Sequence, residues 1–341
     1  MGYWTKAVVL TAMAATTFIQ ARAESALEKV TVATSGRAVT GYLPLTIADR
    51  LGYFKKEGLE VEILDFAGGS KSVEALLGGS ADLMTGSYEH TMLLQRRGAF
   101  PQALVLLATS YGGVIAIRKD KAAHYRSPQD LKGMVFGVSA PGSAMALALQ
   151  IYLKKNGVAP DDVPTISVGQ GGGAIAAIKG KKVDGIVNPD PVITRLQNDG
   201  DVVTLVDTRT AKGVAELYDG PIAATTINVM PAFVKDRPKT AQAFVTAIVR
   251  ALRWIHSVSV DDIVNAVPPE FYGPEKGAYR QIVDVYKENL SVDGRVTPQL
   301  QANTLRVARL GGLGPSQQID LAATYSDKFV EAAHRIVDAN Q

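Results

Sequence analysis

Cysteine is absent from all 341 residues. That excludes disulfides, thiolate metal sites, a cysteine nucleophile and a lipid-modified N-terminal cysteine. Histidine is nearly as scarce: His90, His124, His256 and His334 are scattered along the chain and form no metal-ligand spacing. No G-x-S-x-G elbow and no H-E-x-x-H pair occurs, so the commonest hydrolase and metalloprotease arrangements are missing. The paired acids Asp161-Asp162 and Asp261-Asp262 stand where turns or helix starts are expected and read as solvated caps. An excess of one charge is lacking too. The chain carries 36 Lys and Arg against 33 Asp and Glu, spread among one another, which leaves no basic stripe for nucleic acid. Beyond residue 23 no apolar run approaches the roughly 20 residues needed to cross a bilayer, so the protein is not expected to be membrane-embedded.

What is present begins with residues 1–23. Lys6 precedes an apolar-to-small run from Ala7 to Ile19, and Ala21-Arg22-Ala23 follows as an A-x-A cleavage site. This is the pattern of a secretory signal peptide cut near Ala23, and with no cysteine in the chain it points to a bacterial periplasm. From Val30 onward strands and helices alternate, which predicts an α/β fold with mostly parallel sheets. Predicted strands at Val30–Thr34, Val61–Phe66, Leu83–Gly86 and Ala103–Thr109 interleave with helices near Pro44–Leu51, Lys71–Leu77 and Thr91–Arg97. The organisation then restarts. Strands at Val114–Arg118, Val135–Ser139, Thr165–Val168, Gly185–Asn188 and Val202–Val206 interleave with helices at Ser143–Asn156, Ala174–Gly180 and Val192–Asn198. A strand near Ala223–Val229 leads into helices at Lys235–Ser257, Ala278–Asn289, Pro298–Leu310 and Ile319–Ala339. The expected division is a signal peptide (1–23), the first part of lobe one (24–115), lobe two (116–222), and a return to lobe one with C-terminal helices (223–341). Two crossings between lobes would form a hinge.

Three segments carry a family resemblance. In residues 52–90 it lies in Gly52-Tyr53-Phe54, Glu57-Gly58-Leu59, the F-x-G-G turn ending at Gly69, and Leu76 to Asp82. Residues 130–144 and 174–191 carry the second and third segments, in the same order and spacing. The chain resembles the substrate-binding proteins of ATP-binding-cassette importers of the nitrate/sulfonate/taurine type, to which thiamine pyrimidine synthases are related. The resemblance implies the type II periplasmic binding fold: two α/β lobes joined by a two-strand hinge, closing around a ligand held in the cleft. The related synthases use a cysteine-rich motif, which this chain lacks.

In α/β lobes ligands sit beyond the carboxyl ends of strands, where helix N-termini offer free N–H groups and a positive dipole end. That rule selects the candidate ligand contacts. Gly69 and Ser70 follow the second strand, with Ser70 alternatively a plain N-cap. Ser87, Tyr88 and His90 follow the third, and a lone histidine there is more often a surface or core residue than a contact. Ser139, Gly142, Ser143 and Ala144 repeat the design in lobe two, and in the resembling family this loop faces the cleft. Gly169–Gly173 lacks the Lys and Ser/Thr of a phosphate loop and reads as a mobile turn near the ligand. Asn188 and Asp190 occupy the place where the family commonly carries Trp-Glu-Pro, so an aromatic wall is missing. Asp190 is either a turn acid or a cleft carboxylate for an amino or amidine group. Tyr42, Thr109, Ser110 and Thr225 complete the set from neighbouring strand ends.

These readings point to a periplasmic receptor, monomeric and without cofactor or metal, for a small organic anion such as a sulfonate or carboxylate. Its partners would be that ligand and an importer permease with its ATPase. The alternatives are an exported enzyme on the same scaffold and a ligand receptor for a sensor kinase.

Overall fold

The computed structural model describes residues 27–339 apart from 67, 274 and 315; the expected signal segment lies outside the described residues. Among the described residues ten strands are formed: β1 (Glu28–Ser35), β2 (Leu59–Phe66), β3 (Leu83–Ser87), β4 (Gln102–Ala108), β5 (Val114–Arg118), β6 (Phe136–Val138), β7 (Thr165–Ser167), β8 (Gly185–Asn188), β9 (Val202–Asp207) and β10 (Thr225–Val229). They build two five-stranded sheets, ordered β2-β1-β3-β10-β4 and β7-β6-β8-β5-β9.

The two sheets repeat one topology. β5, on which the chain enters lobe two, lies antiparallel between β8 and β9. β10, on which it re-enters lobe one, lies antiparallel between β3 and β4. The other strands of each sheet run parallel and end at the seam between the lobes. The crossing segments, 109–113 and 219–224, touch: Ile222 N–H donates to the Thr109 carbonyl and Ala224 N–H to that of Ala108, both at 3.1 Å.

Lobe one is filled by the helix Pro238–Ser257, which buries Phe244, Val245, Ile248, Leu252 and Ile255 on one face. Phe244 meets Phe54 with ring centroids 4.8 Å apart. Each such side chain contributes roughly 1.5–3 kcal/mol by leaving water. In lobe two the helix Ala144–Lys155 serves as core, with Met145, Leu149 and Ile151 buried.

Several elements differ from the sequence expectation, for local reasons. The helix expected at Lys235–Ser257 is two helices, Pro231–Asp236 and Pro238–Ser257. Between them Arg237 is non-helical (φ −128°, ψ 53°), as the clash with a following proline ring favours. The helix expected from Ile319 starts at Lys328, after a short turn at Ala322–Thr324. Besides short single-turn helices such as Lys119–Ala122, two helices of two turns were not anticipated. Ala211–Tyr218 is capped by Thr210, whose side chain accepts from Gly213 N–H, and buries Val214, Leu217 and Tyr218. Val260–Ala266 starts in a Ser259/Asp262 capping box. Among the described residues no helix is long and apolar enough to cross a membrane.

Candidate functional site

Strand ends from both lobes meet around a small cavity of about 20 Å³. Ser35 ends β1, Gly69 opens the helix after β2, and Ser87 ends β3; with Tyr42 they form the lobe-one wall. Ser139 follows β6, Ser143 to Met145 open the next helix, and Gln170 follows β7; these form the opposite wall. The lobes touch at its edge: a Cβ built on Gly68 would lie 2.9 Å from the Ala140 Cβ.

No Lys, Arg, Asp, Glu or His stands among the lining residues. The polarity comes from hydroxyls, one amide and two helix starts. In the helix Gly69–Leu77 the Lys71 and Ser72 amides bond back to the Gly68 carbonyl, leaving the Gly69 and Ser70 N–H groups as free first-turn donors. In the helix Ala144–Lys155 the Ser143 hydroxyl accepts from Ala146 N–H at 3.3 Å, leaving those of Ala144 and Met145. Ser35 and Tyr42 hydroxyls share a 2.7 Å hydrogen bond. The Ser139 hydroxyl and the Gln170 side-chain oxygen are buried with no partner. Such orphans are costly in a protein interior unless a ligand or water completes them. A site built this way suits an oxyanion: two positive dipole ends and several O–H donors, with no fixed acid to repel it.

Of the residues selected from sequence, Tyr42, Gly69, Ser87, Ser139, Ser143 and Ala144 line this cavity. Ser143 also caps its helix, its hydroxyl accepting from the Ala146 N–H. His90 stands one layer back, its Cε1 3.5 Å from where a Gly69 Cβ would be and its Nδ1 buried without a partner. Ser70 lies inside a helix whose N-cap is Gly68, so it does not cap. Tyr88 points away, into the lobe-one core, where its hydroxyl bonds with Thr324 at 2.6 Å and accepts from Gln301 at 2.9 Å. Gly142 turns the chain at φ +71° and is exposed. Thr109 and Ser110 belong to the first crossing, tied to the carbonyls of Asn289 and Thr208. Asn188 donates to the Gly169 carbonyl at 3.0 Å, and Thr225 opens β10 behind Gly41.

Asp190 is not a free cleft carboxylate. It accepts from Arg209 at 2.8 Å and from Thr194 N–H at 2.9 Å. Arg209 also binds Asp207 at 2.6 Å, the Thr194 hydroxyl and the Gln197 amide oxygen. Burial works against its charge, but the bond to Asp207 and then the charge of Asp190 outweigh this and hold the guanidinium above its ordinary range. Sequence reading missed Arg209 because its acceptors are brought together only by folding. It also missed Ser35, although the strand-end serine pattern of Ser87 and Ser139 was available to find it.

Behind the cavity Glu89 is 1% exposed, and its carboxylate accepts from the Tyr111 hydroxyl on the first crossing. Burial raises its pKa above the ordinary glutamate value of 4.5, against the smaller opposing pull of His90 and the Tyr111 bond. A raised carboxyl pKa means that the folded state binds the proton more tightly than the unfolded chain. Its stabilising contribution is therefore full below pH 4.5 and is lost as pH rises through the raised value. Glu89→Gln should accordingly gain in melting temperature over the native protein as pH goes from acid to neutral. Melting curves across that range test this; a gain independent of pH would refute it.

Outside the cavity, a larger groove of about 280 Å³ runs along the same seam. Lobe two contributes Gln170 to Gly172, Ile175 and Val192, and lobe one contributes Ala38, Phe271, Tyr279 and Ile282. Among the described residues no cluster of three His, Asp or Glu is placed to hold a metal ion.

Comparison with known proteins gives this arrangement a context. The sequence profile of the NMT1-like family matches residues 23–266. A solved structure from Bordetella bronchiseptica RB50 superposes with a TM-score of 0.86 at 37% identity, covering 92% of this chain and 99% of that one. The periplasmic nitrate-binding protein NrtA from Synechocystis PCC 6803 superposes at 0.70 with 16% identity, over 91% and 89% of the two chains. At that identity the likeness shows the fold alone, which is the periplasmic binding fold. YtlA of Bacillus subtilis, named only for binding, is 25% identical over 273 residues, 79% of this chain and 78% of its own. A shorter match, 30% identical over 144 residues, joins 41% of this chain to 40% of the 4-amino-5-hydroxymethyl-2-methylpyrimidine phosphate synthase of Schizosaccharomyces pombe.

Proposed function

We propose that this chain, which belongs to the NMT1-like family, is the periplasmic solute-binding component of an ATP-binding-cassette importer and captures a small organic anion, a sulfonate, carboxylate or similar compound, between its lobes. The observation that carries this reading is the cavity itself, where helix starts from opposite lobes meet among hydroxyls with no charged side chain on the lining. Amide and hydroxyl donors recognise the oxygens of an anion, and because they come from both lobes the ligand stabilises the closed form over the open one. The closed form presents both lobes to the permease, whose ATPase drives uptake. Binding rather than turnover is supported by the absence of cysteine, since the related synthases use a cysteine-rich motif. The signal-peptide pattern of residues 1–23 supports export.

Thermal-shift screening of protein lacking residues 1–23 tests this. Short sulfonates and carboxylates should raise the melting temperature with dose. If no anion does so, or if a stabilising compound is chemically converted, the reading fails. Ser139→Ala adds a residue-level check. Its hydroxyl has no protein partner, so the free variant should melt at or slightly above the native temperature. Ligand binding should weaken about tenfold, as expected for losing one hydrogen bond to a charged group. Unchanged affinity would remove Ser139 from the site.

A further inference from the structure

Among the described residues, Gln170 alone lines both the inner cavity and the outer groove. Its side chain reaches from lobe two to lobe one: a Cβ on Gly36 would lie 2.9 Å from its Oε1 and 3.2 Å from its Cβ. The turn that it meets is held in place, because Asp65 accepts from the N–H groups of Gly36 at 2.7 Å and Arg37 at 3.1 Å. Gly36 itself has φ +83°, so a side chain there would be strained as well as obstructed. On its own side Gln170 follows Gly169, whose N–H bonds to the Ser139 carbonyl and whose carbonyl is held by Asn188. Both ends of the bridge are therefore fixed in the closed protein. Beyond it lie the apolar side chains of Ile175, Val192, Phe271 and Ile282, with Arg195, Glu270 and Glu275 also on the groove lining, so the groove offers an alkyl tail apolar contact that the inner cavity does not.

We propose that Gln170 is the gate side chain that separates the inner cavity from the outer groove and so sets the length of ligand that the closed protein accepts. This rests on the anion reading above. A ligand whose body fits the inner cavity leaves the gate shut. A longer one must hold Gln170 off Gly36 and keep the lobes from full closure. With the gate removed, the tail enters the groove, and each methylene buried there tightens binding about fourfold.

Calorimetric titration with linear sulfonates from ethanesulfonate to decanesulfonate tests the gate in the native protein, Gln170→Ala and Gln170→Met. Affinity in the native protein should peak at a short chain and fall beyond it, whereas in Gln170→Ala it should go on rising with chain length. Gln170→Met restores the bulk without the amide and should return the native cut-off. Melting of the three free proteins verifies that they are folded. If short sulfonates bind and Gln170→Ala shows the native length dependence, the gate is refuted while the anion reading stands. The steric gate is also refuted if Gln170→Met behaves as Gln170→Ala does. If no sulfonate binds any of the three, the anion reading fails for this class and the gate falls with it.

Discussion

Gly68→Asn should weaken ligand binding between about fivefold and a hundredfold while leaving the melting temperature of the free protein nearly unchanged. Gly68 caps the helix Gly69–Leu77 from an extended backbone (φ 176°, ψ 162°) that any residue adopts, and asparagine is among the best caps. The variant therefore meets no backbone strain in lobe one. The obstacle is across the seam: the added Cβ would sit 2.9 Å from the Ala140 Cβ and 3.5 Å from the Ser139 carbonyl group. Ala140 cannot yield without carrying Ser139, which lines the cavity. On the proposed reading, in which ligand is held between closed lobes, the overpacking cost of about 1–3 kcal/mol falls on the ligand-holding state alone. Titration with the anion that gives the largest thermal shift measures it. Adding Ala140→Gly to the variant should recover most of the loss, because it removes the atom in the way. Native affinity in the single variant would mean that ligand is held with the lobes apart.

The second large effect concerns stability. Arg209→Ala should cost about 3–5 kcal/mol and lower the melting temperature on the order of ten degrees. The Arg209 side chain is 11% exposed and that of Asp190 3%. Removing the guanidinium leaves Asp190 buried with only the Thr194 amide, and strips Asp207 of its bond at 2.6 Å. The loss is mostly the cost of a stranded buried charge, so Asp190→Asn added to Arg209→Ala should restore part of it. Arg209→Lys should fall between, since a single ammonium cannot reach Asp190, Asp207, Thr194 and Gln197 together as the planar fork does. Scanning calorimetry of the four proteins decides the matter; a loss under about 1 kcal/mol for Arg209→Ala would place the pair among those that contribute little.

The fold was legible in the sequence wherever local periodicity carries it. Two rounds of strand and helix, each strand closed by small polar residues, are written in order along the chain, because alternation and capping depend on near neighbours. Helix Ala211–Tyr218 escaped for want of a strong cue: Thr210 is an ordinary cap, and Val214, Leu217 and Tyr218 make only a short stripe. The position of β10 between β3 and β4 could not be read locally at all, since its partners lie more than a hundred residues away.

By itself the sequence determined that the chain alternates as an α/β protein, that cysteine chemistry is excluded, and that serines and glycines stand at strand ends where helices begin. Tertiary structure alone decided which of those ends face one another. Tyr42, Gly69, Ser87, Ser139 and Ser143 share one cavity, whereas Tyr88, equally a strand-end residue, turns into the core towards Thr324. Asp190 reads as a free acid until Arg209 is brought against it, and Gln170 reads as a loop residue until lobe one lies beneath it. The reason is physical: secondary structure is set by interactions over a few residues, but a site between lobes is set by how surfaces far apart along the chain dock.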